Sequence, residues 1–292
     1  QQLYEGNFEI PGYTGGLITY MRTDSVNLSE QAVTQAKEVI EQEFGQEYAI
    51  DKPRQFSNKT KGAQEAHEAI RPTAVNRAPE SLKSTLSSDQ YRLYDLIWRR
   101  TVACQMQHAL VDTVAVNLAC GEGNTFRATG STVASPGFLA VYEEGVDNSK
   151  DAERDVRLPV LDEGDLLSLT EIRAGQHFTE PPARYSEATL VKTLEEYGIG
   201  RPSTYAAIIQ TLQQREYAVL EKRRFYPTDV GRVVSRFLTQ HFDRYVDYDF
   251  TAKLEDQLDD ITSGKENWIT VLENFWKDFN SNVSNVKEKR TR

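Results

Sequence analysis

Cysteine is nearly absent from this chain: Cys104 and Cys120 are its two thiols, and they do not form a CxxC pair. That spacing offers neither a zinc ribbon nor a disulfide framework and points to two small buried thiols in a reducing, cytosolic compartment. No apolar run approaches the roughly 20 residues needed to cross a bilayer, so no membrane partner is expected. The first residues have neither a basic start nor a continuous apolar stretch, so no secretory leader is read. Repeats and low-complexity segments are missing as well. Positive charge is in deficit, with 34 Lys and Arg against 44 Asp and Glu, a net charge of −10. Such a chain repels a polyanion at long range, and phosphate neutralisation is the main source of nucleic-acid affinity. The sum argues against tight non-specific binding but not against a local groove. Acidic residues crowd 143–165 and 255–260, whereas Arg201, Arg215, Lys222, Arg223 and Arg224 lie close together against Glu216 and Glu221.

What is present reads as several elements in an α+β, multidomain order, and 292 residues suffice for two or three cores. The chain opens at Gln1 without an initiator Met and closes on a charged run at 287–292, which reads as an excised piece with a frayed end. Residues 1–106 are expected to be mostly helical. Ser29 caps a helix carrying Val33, Ala36, Val39, Ile40 and Phe44, stopped by Gly45. A second helix after Ser88 presents Leu93, Leu96, Ile97 and Val102. From about 109 the period changes to two, with a turn at Gly121-Glu122-Gly123-Asn124, strands through 140, a charged loop at 147–154 and further strands to about 174. This β-rich connector, 107–180, gives way to a second helical region over 181–292. There Ser186 caps a helix bearing Leu190, Leu194 and Tyr197, which Gly198 stops. Pro202 opens the next, with Tyr205, Ile208, Ile209 and Leu212 as its stripe. A strand pair near 219–226 precedes helices at about 229–241, 251–263 and 266–286. Helix, turn, helix, basic hairpin is also the outline of a winged helix, and a non-catalytic DNA-binding module is therefore the alternative reading.

The segment Ile18-Thr19-Tyr20-Met21-Arg22-Thr23-Asp24-Ser25 sets a tyrosine among a cation and small polar groups. If it is extended, Tyr20 and Arg22 share a face. Ionising a phenol at pH 7 costs about 4 kcal/mol. A cation at about 6 Å, at an effective dielectric near 20, offsets at most roughly 3 kcal/mol of that. Arg22 also offers a planar fork to a phosphate oxygen pair. The pair fits a phosphate-attacking tyrosine, but on local pattern alone a half-buried strand aromatic beside a solvated arginine is the commoner arrangement.

Further blocks follow in order: Ala63-Gln64-Glu65-Ala66-His67-Glu68-Ala69-Ile70-Arg71-Pro72-Thr73; Pro181-Pro182-Ala183-Arg184-Tyr185-Ser186-Glu187-Ala188 through Gly198-Ile199-Gly200-Arg201-Pro202-Ser203-Thr204-Tyr205; and Arg223-Arg224-Phe225-Tyr226-Pro227-Thr228-Asp229-Val230-Gly231 with Tyr248-Asp249-Phe250-Thr251-Ala252. Together with the Tyr20 segment they resemble the type IA DNA topoisomerases, over about residues 15–280. Met21 points to the topoisomerase I branch.

The resemblance implies that Tyr20 attacks a phosphodiester in single-stranded DNA, that Arg22 holds the scissile phosphate and that His67 bonds a phosphate or a reacting group. It implies DNA contacts from Arg201, Ser203, Thr204, Arg215, Tyr217, Arg223 and Arg224. Ser203 serves equally well as an ordinary helix cap, and Arg223 and Arg224 as a solvated hairpin face. The substrate implied is the single-stranded segment of a negatively supercoiled duplex, handled by a monomer associated with the nucleoid. Mg²⁺ is implied for the complete enzyme, with its carboxylate ligands on a domain outside this chain and none bound here. Asp259-Asp260 and Asp162-Glu163 read as solvated faces. The fold implied is a winged-helix-like helical domain bearing the tyrosine, a β-rich hinge and a second winged-helix-like domain, all arms of a toroid.

Overall fold

The computed structural model describes residues 1–6, 8–23, 25–56, 68–143, 158–159 and 161–290. The chain divides into two compact units, Gln1–Glu180 and Pro181–Arg292.

The first unit is built on two helices. The helix Glu30–Glu43 starts where the Ser29 hydroxyl accepts the Ala32 N–H, and it buries Ala32, Ala36, Val39 and Ile40. Gly45, with φ 114°, lets the chain turn away after it. The helix Ser88–Ala103 is opened by a capping box between Ser87 and Gln90. Its buried face matches the expected one at Val102 and, in part, Ile97, and differs at the two leucines. Leu93 and Leu96 remain 48% and 50% exposed, while Tyr94, Trp98 and Val102 pack inward. The reason is polar as much as apolar: the Trp98 indole N–H donates to the Val75 carbonyl at 2.7 Å, and the Tyr94 hydroxyl to that of Arg77 at 2.9 Å. Both rings thus bury their bodies and still satisfy their polar ends. Leu3, Leu17, Ile18, Leu82 and Met106 complete this core.

The strands Leu110–Ala119 (β1) and Thr125–Ser135 (β2) form the expected antiparallel pair. Gly121 and Gly123, both at positive φ, make the turn. The ribbon is narrow, and Val111, Val114, Phe126 and Val133 stay exposed. Gly137, at φ 47°, follows, in a position where a Cβ would collide with the His108 carbonyl. The expected continuation of strands to 174 is not observed among the described residues. A strand needs a neighbour to take its hydrogen bonds, and β1 and β2 pair with each other alone. The expected loop at 147–154 lies outside the described residues. Both thiols are half-exposed rather than buried.

In the second unit the helix Glu187–Glu196 begins at a Ser186–Thr189 capping box, and Gly198, at φ 70°, ends it. The next helix, Tyr205–Gln214, starts later than expected. Pro202 lies in the turn before it, where the Arg201 N–H donates to the Thr204 hydroxyl at 2.9 Å. The hairpin Ala218–Glu221 (β3) and Arg224–Pro227 (β4) turns through Lys222 and Arg223, both at positive φ, as a two-residue turn requires. The helices Asp229–His241, Asp243–Val246, Tyr248–Thr262 and Trp268–Arg290 follow. An aromatic cluster joins the last three, with the Tyr245 ring 5.1 Å from Phe250 and 5.2 Å from Phe279.

Candidate active site

The Tyr20 segment is not a strand. Ile18 makes a single antiparallel bridge with Pro72, framed by Thr19 N–H to the Arg71 carbonyl at 2.9 Å and Thr73 N–H to the Leu17 carbonyl at 3.0 Å. The Thr19 hydroxyl stops the ladder there. It accepts the Arg71 N–H at 2.9 Å and donates to the Ala69 carbonyl at 2.7 Å, so a side chain takes the place of the next backbone rung. Segments 17–20 and 69–73 are thereby locked together, and two of the blocks singled out in the sequence meet.

Behind them stands a carboxylate–guanidinium pair that the sequence did not single out. Glu68 takes Arg71 Nε at 2.7 Å and Nη2 at 3.0 Å, and its Oε1 also accepts the Ser29 N–H at 2.8 Å. Partial burial works against the charge on Glu68, but the Arg71 and Ser29 bonds outweigh it and hold the carboxyl below its usual range. Arg71 Nη1 donates to the Pro72 carbonyl at 2.8 Å. The 69–73 segment is thus anchored at the N-terminus of the helix Glu30–Glu43.

Tyr20 itself is half-buried. The Arg22 guanidinium lies 5.8 Å from its ring centroid, so the two predicted residues are together, although no strand pairs them. The Tyr4 ring also sits against that of Tyr20, with centroids 5.4 Å apart and planes at 70°. Sequence reasoning missed Tyr4, whose neighbourhood to Tyr20 arises from a fold-back at glycines. Its signal was the Gly6, Gly15 and Gly16 cluster between the two tyrosines. His67 lies outside the described residues.

The remaining site residues belong to the second unit. Arg201 is committed to its own fold: Nη2 bonds Asp259 at 2.7 Å, and Nη1 donates to the Gly200 and Gly198 carbonyls at 2.8 and 3.3 Å. Glu255 and Asp256 stand within 4.0 Å. Burial disfavours the charge on Arg201, yet the Asp259 bond and the neighbouring carboxylates raise its pKa. The Thr204 hydroxyl is engaged with the Arg201 backbone at 2.9 and 3.0 Å, while Ser203 is exposed. Arg215 is exposed at the end of the helix Tyr205–Gln214. Tyr217, half-buried, leads into β3, its N–H on the Leu212 carbonyl at 2.9 Å.

At the hairpin, Arg223 forms the tip. Arg224 Nη1 donates to the Arg184 carbonyl at 2.9 Å, and the Arg184 guanidinium lies 4.7 Å over the Tyr226 ring. Arg224 and Tyr226 alternate onto one face of β4 while Phe225 turns inward. Arg184 and Tyr226 were missed as site residues. The two-residue spacing of Arg224 and Tyr226 was the available signal, but nothing local revealed that residue 184 returns beside them. Among the described residues no group of three or more His, Cys, Asp or Glu side chains is placed to hold a metal ion.

The DNA topoisomerase family model matches residues 1–273. DNA topoisomerase 1 of Xylella fastidiosa (strain Temecula1 / ATCC 700964) is 53% identical over 290 residues, covering 99% of this chain and 36% of that protein. DNA topoisomerase 1 of Rickettsia felis is 51% identical over 292 residues, 99% of this chain and 37% of that protein. The structure of full-length topoisomerase I from Thermotoga maritima superposes with a TM-score of 0.78 at 35% identity, over 96% of this chain and 44% of that one. The chain therefore spans little more than a third of the curated relatives' length. With a mixed helix-and-strand fold and a family match over nearly its whole length, the chain belongs to the DNA topoisomerase family.

Proposed function

We propose that this chain is the nucleophile-bearing part of a type IA DNA topoisomerase that relaxes negatively supercoiled DNA by cutting and resealing one strand. The observation that carries the reading is the Tyr20 ring with the Arg22 guanidinium 5.8 Å from its centroid, in a segment locked to residues 69–73.

The Tyr20 oxygen forms a bond to the scissile phosphorus as the bond from phosphorus to the 3′-oxygen breaks. The phenol loses its proton and the 3′-oxygen gains one, leaving a 5′-phosphotyrosine and a free 3′-hydroxyl. One phosphoester replaces another, so the reverse attack reseals the strand without ATP. Arg22 holds the phosphate and stabilises the charge that builds on its oxygens. His67 bonds the phosphate or a reacting oxygen. Ser203, Thr204, Arg215, Tyr217, Arg223 and Arg224 track the single strand through phosphate contacts and stacking, with Arg184 and Tyr226 beside them. Arg201 supports this surface by holding the Gly198 and Gly200 carbonyls. Mg²⁺ belongs to the complete enzyme with ligands outside this chain. Among the described residues no group of three or more His, Cys, Asp or Glu side chains fits it. The complete protein acts as a monomer on nucleoid DNA, with these units as arms of a ring that opens for strand passage.

The test is covalent capture. The complete enzyme incubated with a single-stranded oligonucleotide forms a denaturant-stable adduct that Tyr20→Phe abolishes, with DNA affinity unchanged. The 292-residue chain alone forms it at least 10²-fold more slowly, because general-acid help to the leaving oxygen is worth about 10²–10⁴-fold. An adduct that survives Tyr20→Phe would place the nucleophile elsewhere. No adduct in the complete enzyme would favour the non-catalytic DNA-binding module.

A further inference from the structure

Tyr4 touches the Tyr20 ring edge-to-face, with centroids 5.4 Å apart and planes at 70°. The way the two backbones are joined makes this contact part of the site. The short helix Gln2–Glu5 ends at Gly6, in the left-handed region at φ 75°. Gly16 passes so close that a Cβ there would collide with the Tyr4 carbonyl, and a Cβ on Gly6 would collide with the Gly15 carbonyl. The Leu17 N–H donates to the Leu3 carbonyl at 2.7 Å, and Leu3 and Leu17 are both buried. Residues 3–6 and 15–17 therefore behave as one rigid body, and three peptide units lead from Leu17 to Tyr20. The Tyr4 side chain is 41% exposed, so filling the core does not explain where its ring sits.

We infer that Tyr4 is a positioning residue for the Tyr20 nucleophile: its ring fixes the Tyr20 rotamer, so that the phenolic oxygen is presented in one direction. The inference rests on the reading of Tyr20 as the attacking group. The Tyr20 ring is thus met by the Tyr4 ring as well as by the Arg22 guanidinium. An edge-to-face pair shifts a rotamer population by about 2- to 10-fold, and a reacting atom displaced by about 1 Å loses on the order of 100-fold in rate.

The experiment uses the complete enzyme. The single-turnover rate of adduct formation on a single-stranded oligonucleotide, and affinity for the same oligonucleotide by fluorescence anisotropy, are measured for wild type, Tyr4→Phe and Tyr4→Leu, with Tyr20→Phe as the control. Tyr4→Leu slows adduct formation about tenfold while affinity stays within about twofold, and Tyr4→Phe, which keeps the ring, stays within about twofold in both. Should Tyr4→Leu not fold, Tyr4→Met carries the same expectation. A leucine or methionine variant reacting at the wild-type rate overturns the inference. So does a phenylalanine variant as slow as leucine, which would assign the effect to the hydroxyl, or affinity falling in step with rate, which would mark general damage. If wild type gives no adduct dependent on Tyr20, the nucleophile reading fails and this one falls with it. If wild type reacts and Tyr4→Leu reacts equally fast, only the positioning role is lost.

Discussion

Glu68→Gln removes one negative charge from the anchor behind the Tyr20 segment and leaves its shape. The carboxylate accepts two Arg71 bonds, at 2.7 and 3.0 Å, and the Ser29 N–H at 2.8 Å. A glutamine amide accepts through one oxygen and turns its NH₂ toward a guanidinium, so at least one bond is lost along with the charge. A hydrogen bond to a charged group contributes about 1.5–3 kcal/mol. The Glu68 side chain keeps 29% of its surface in solvent, and screening there brings the expected cost to about 1–1.5 kcal/mol. The sign with pH follows from the depressed carboxyl. A carboxyl held low in the folded state stabilises fully above its unfolded value, near about 4.3, and that contribution is lost as pH falls through the folded value. The gap between wild type and variant should therefore be full at pH 7 and close progressively below about pH 4.3.

Urea unfolding followed by Trp98 emission reads this. Trp98 is buried in the first unit, whereas Trp268 and Trp276 are each 58% exposed in the second, and replacing those two by Phe isolates the signal. A loss of about 1–1.5 kcal/mol moves the midpoint by roughly 0.5–0.75 M for a slope near 2 kcal/mol/M. Equal midpoints at pH 7, or a gap that persists undiminished in acid, would refute the reasoning: the carboxylate would then be an ornament on an anchor made by backbone bonds alone.

Two more outcomes are expected in the second unit. Gly231→Ala puts a Cβ into the Tyr217 carbonyl and should lower stability by about 1–3 kcal/mol, seen as faster amide exchange in the hairpin Ala218–Pro227; an unchanged exchange pattern would show that the helix Asp229–His241 can slide away at no cost. Tyr226→Ala should weaken single-stranded DNA binding by about 1–3 kcal/mol, and Arg184→Ala should reduce the salt dependence by about one phosphate; wild-type affinity in both would remove the hairpin face from the DNA path.

The element boundaries were legible because their signals are local. Ser29 and Ser186 stand one residue before helices that begin where expected, and Gly45 and Gly198 take the positive φ that ends them. Packing was less so. The helix Ser88–Ala103 carries two apolar stripes, and periodicity cannot choose between them. The choice fell to Tyr94 and Trp98 because the carbonyls of Arg77 and Val75, well separated in sequence, accept their polar ends. The alternation of Ile18, Tyr20 and Arg22 suggested a strand, and what cut it to one bridge was the Thr19 hydroxyl, which captures the Arg71 N–H. The Tyr20–Arg22 neighbourhood survives without the strand, the guanidinium lying 5.8 Å from the ring centroid. Tyr4 and Glu68 reach the site through fold-back and cross-chain bonds, and no spacing in the sequence announces those.

Arg201 shows why clustered basic residues do not by themselves make a DNA surface. In the sequence it opens a run of cations ending at Arg224. In the folded unit it faces Glu255, Asp256 and Asp259 on the helix Tyr248–Thr262. Glu255 and Asp256 stand four and three residues before Asp259, the spacings at which a helix brings side chains onto one face. The guanidinium also satisfies two carbonyls in a turn where Gly198 and Gly200 both take positive φ. A phosphate seeking this arginine would have to displace a charge-assisted bond and strand the Gly200 carbonyl, a loss of about 1.5–3 kcal/mol for the first alone. At the hairpin, Arg223 is exposed, and Arg224 and Arg184 are arranged around an exposed tyrosine face. In an acidic chain the positive charge available to a polyanion is what its own carboxylates leave over, and on the proposed reading that favours the hairpin face as the strand's path, with Arg201 holding the turn that supports it.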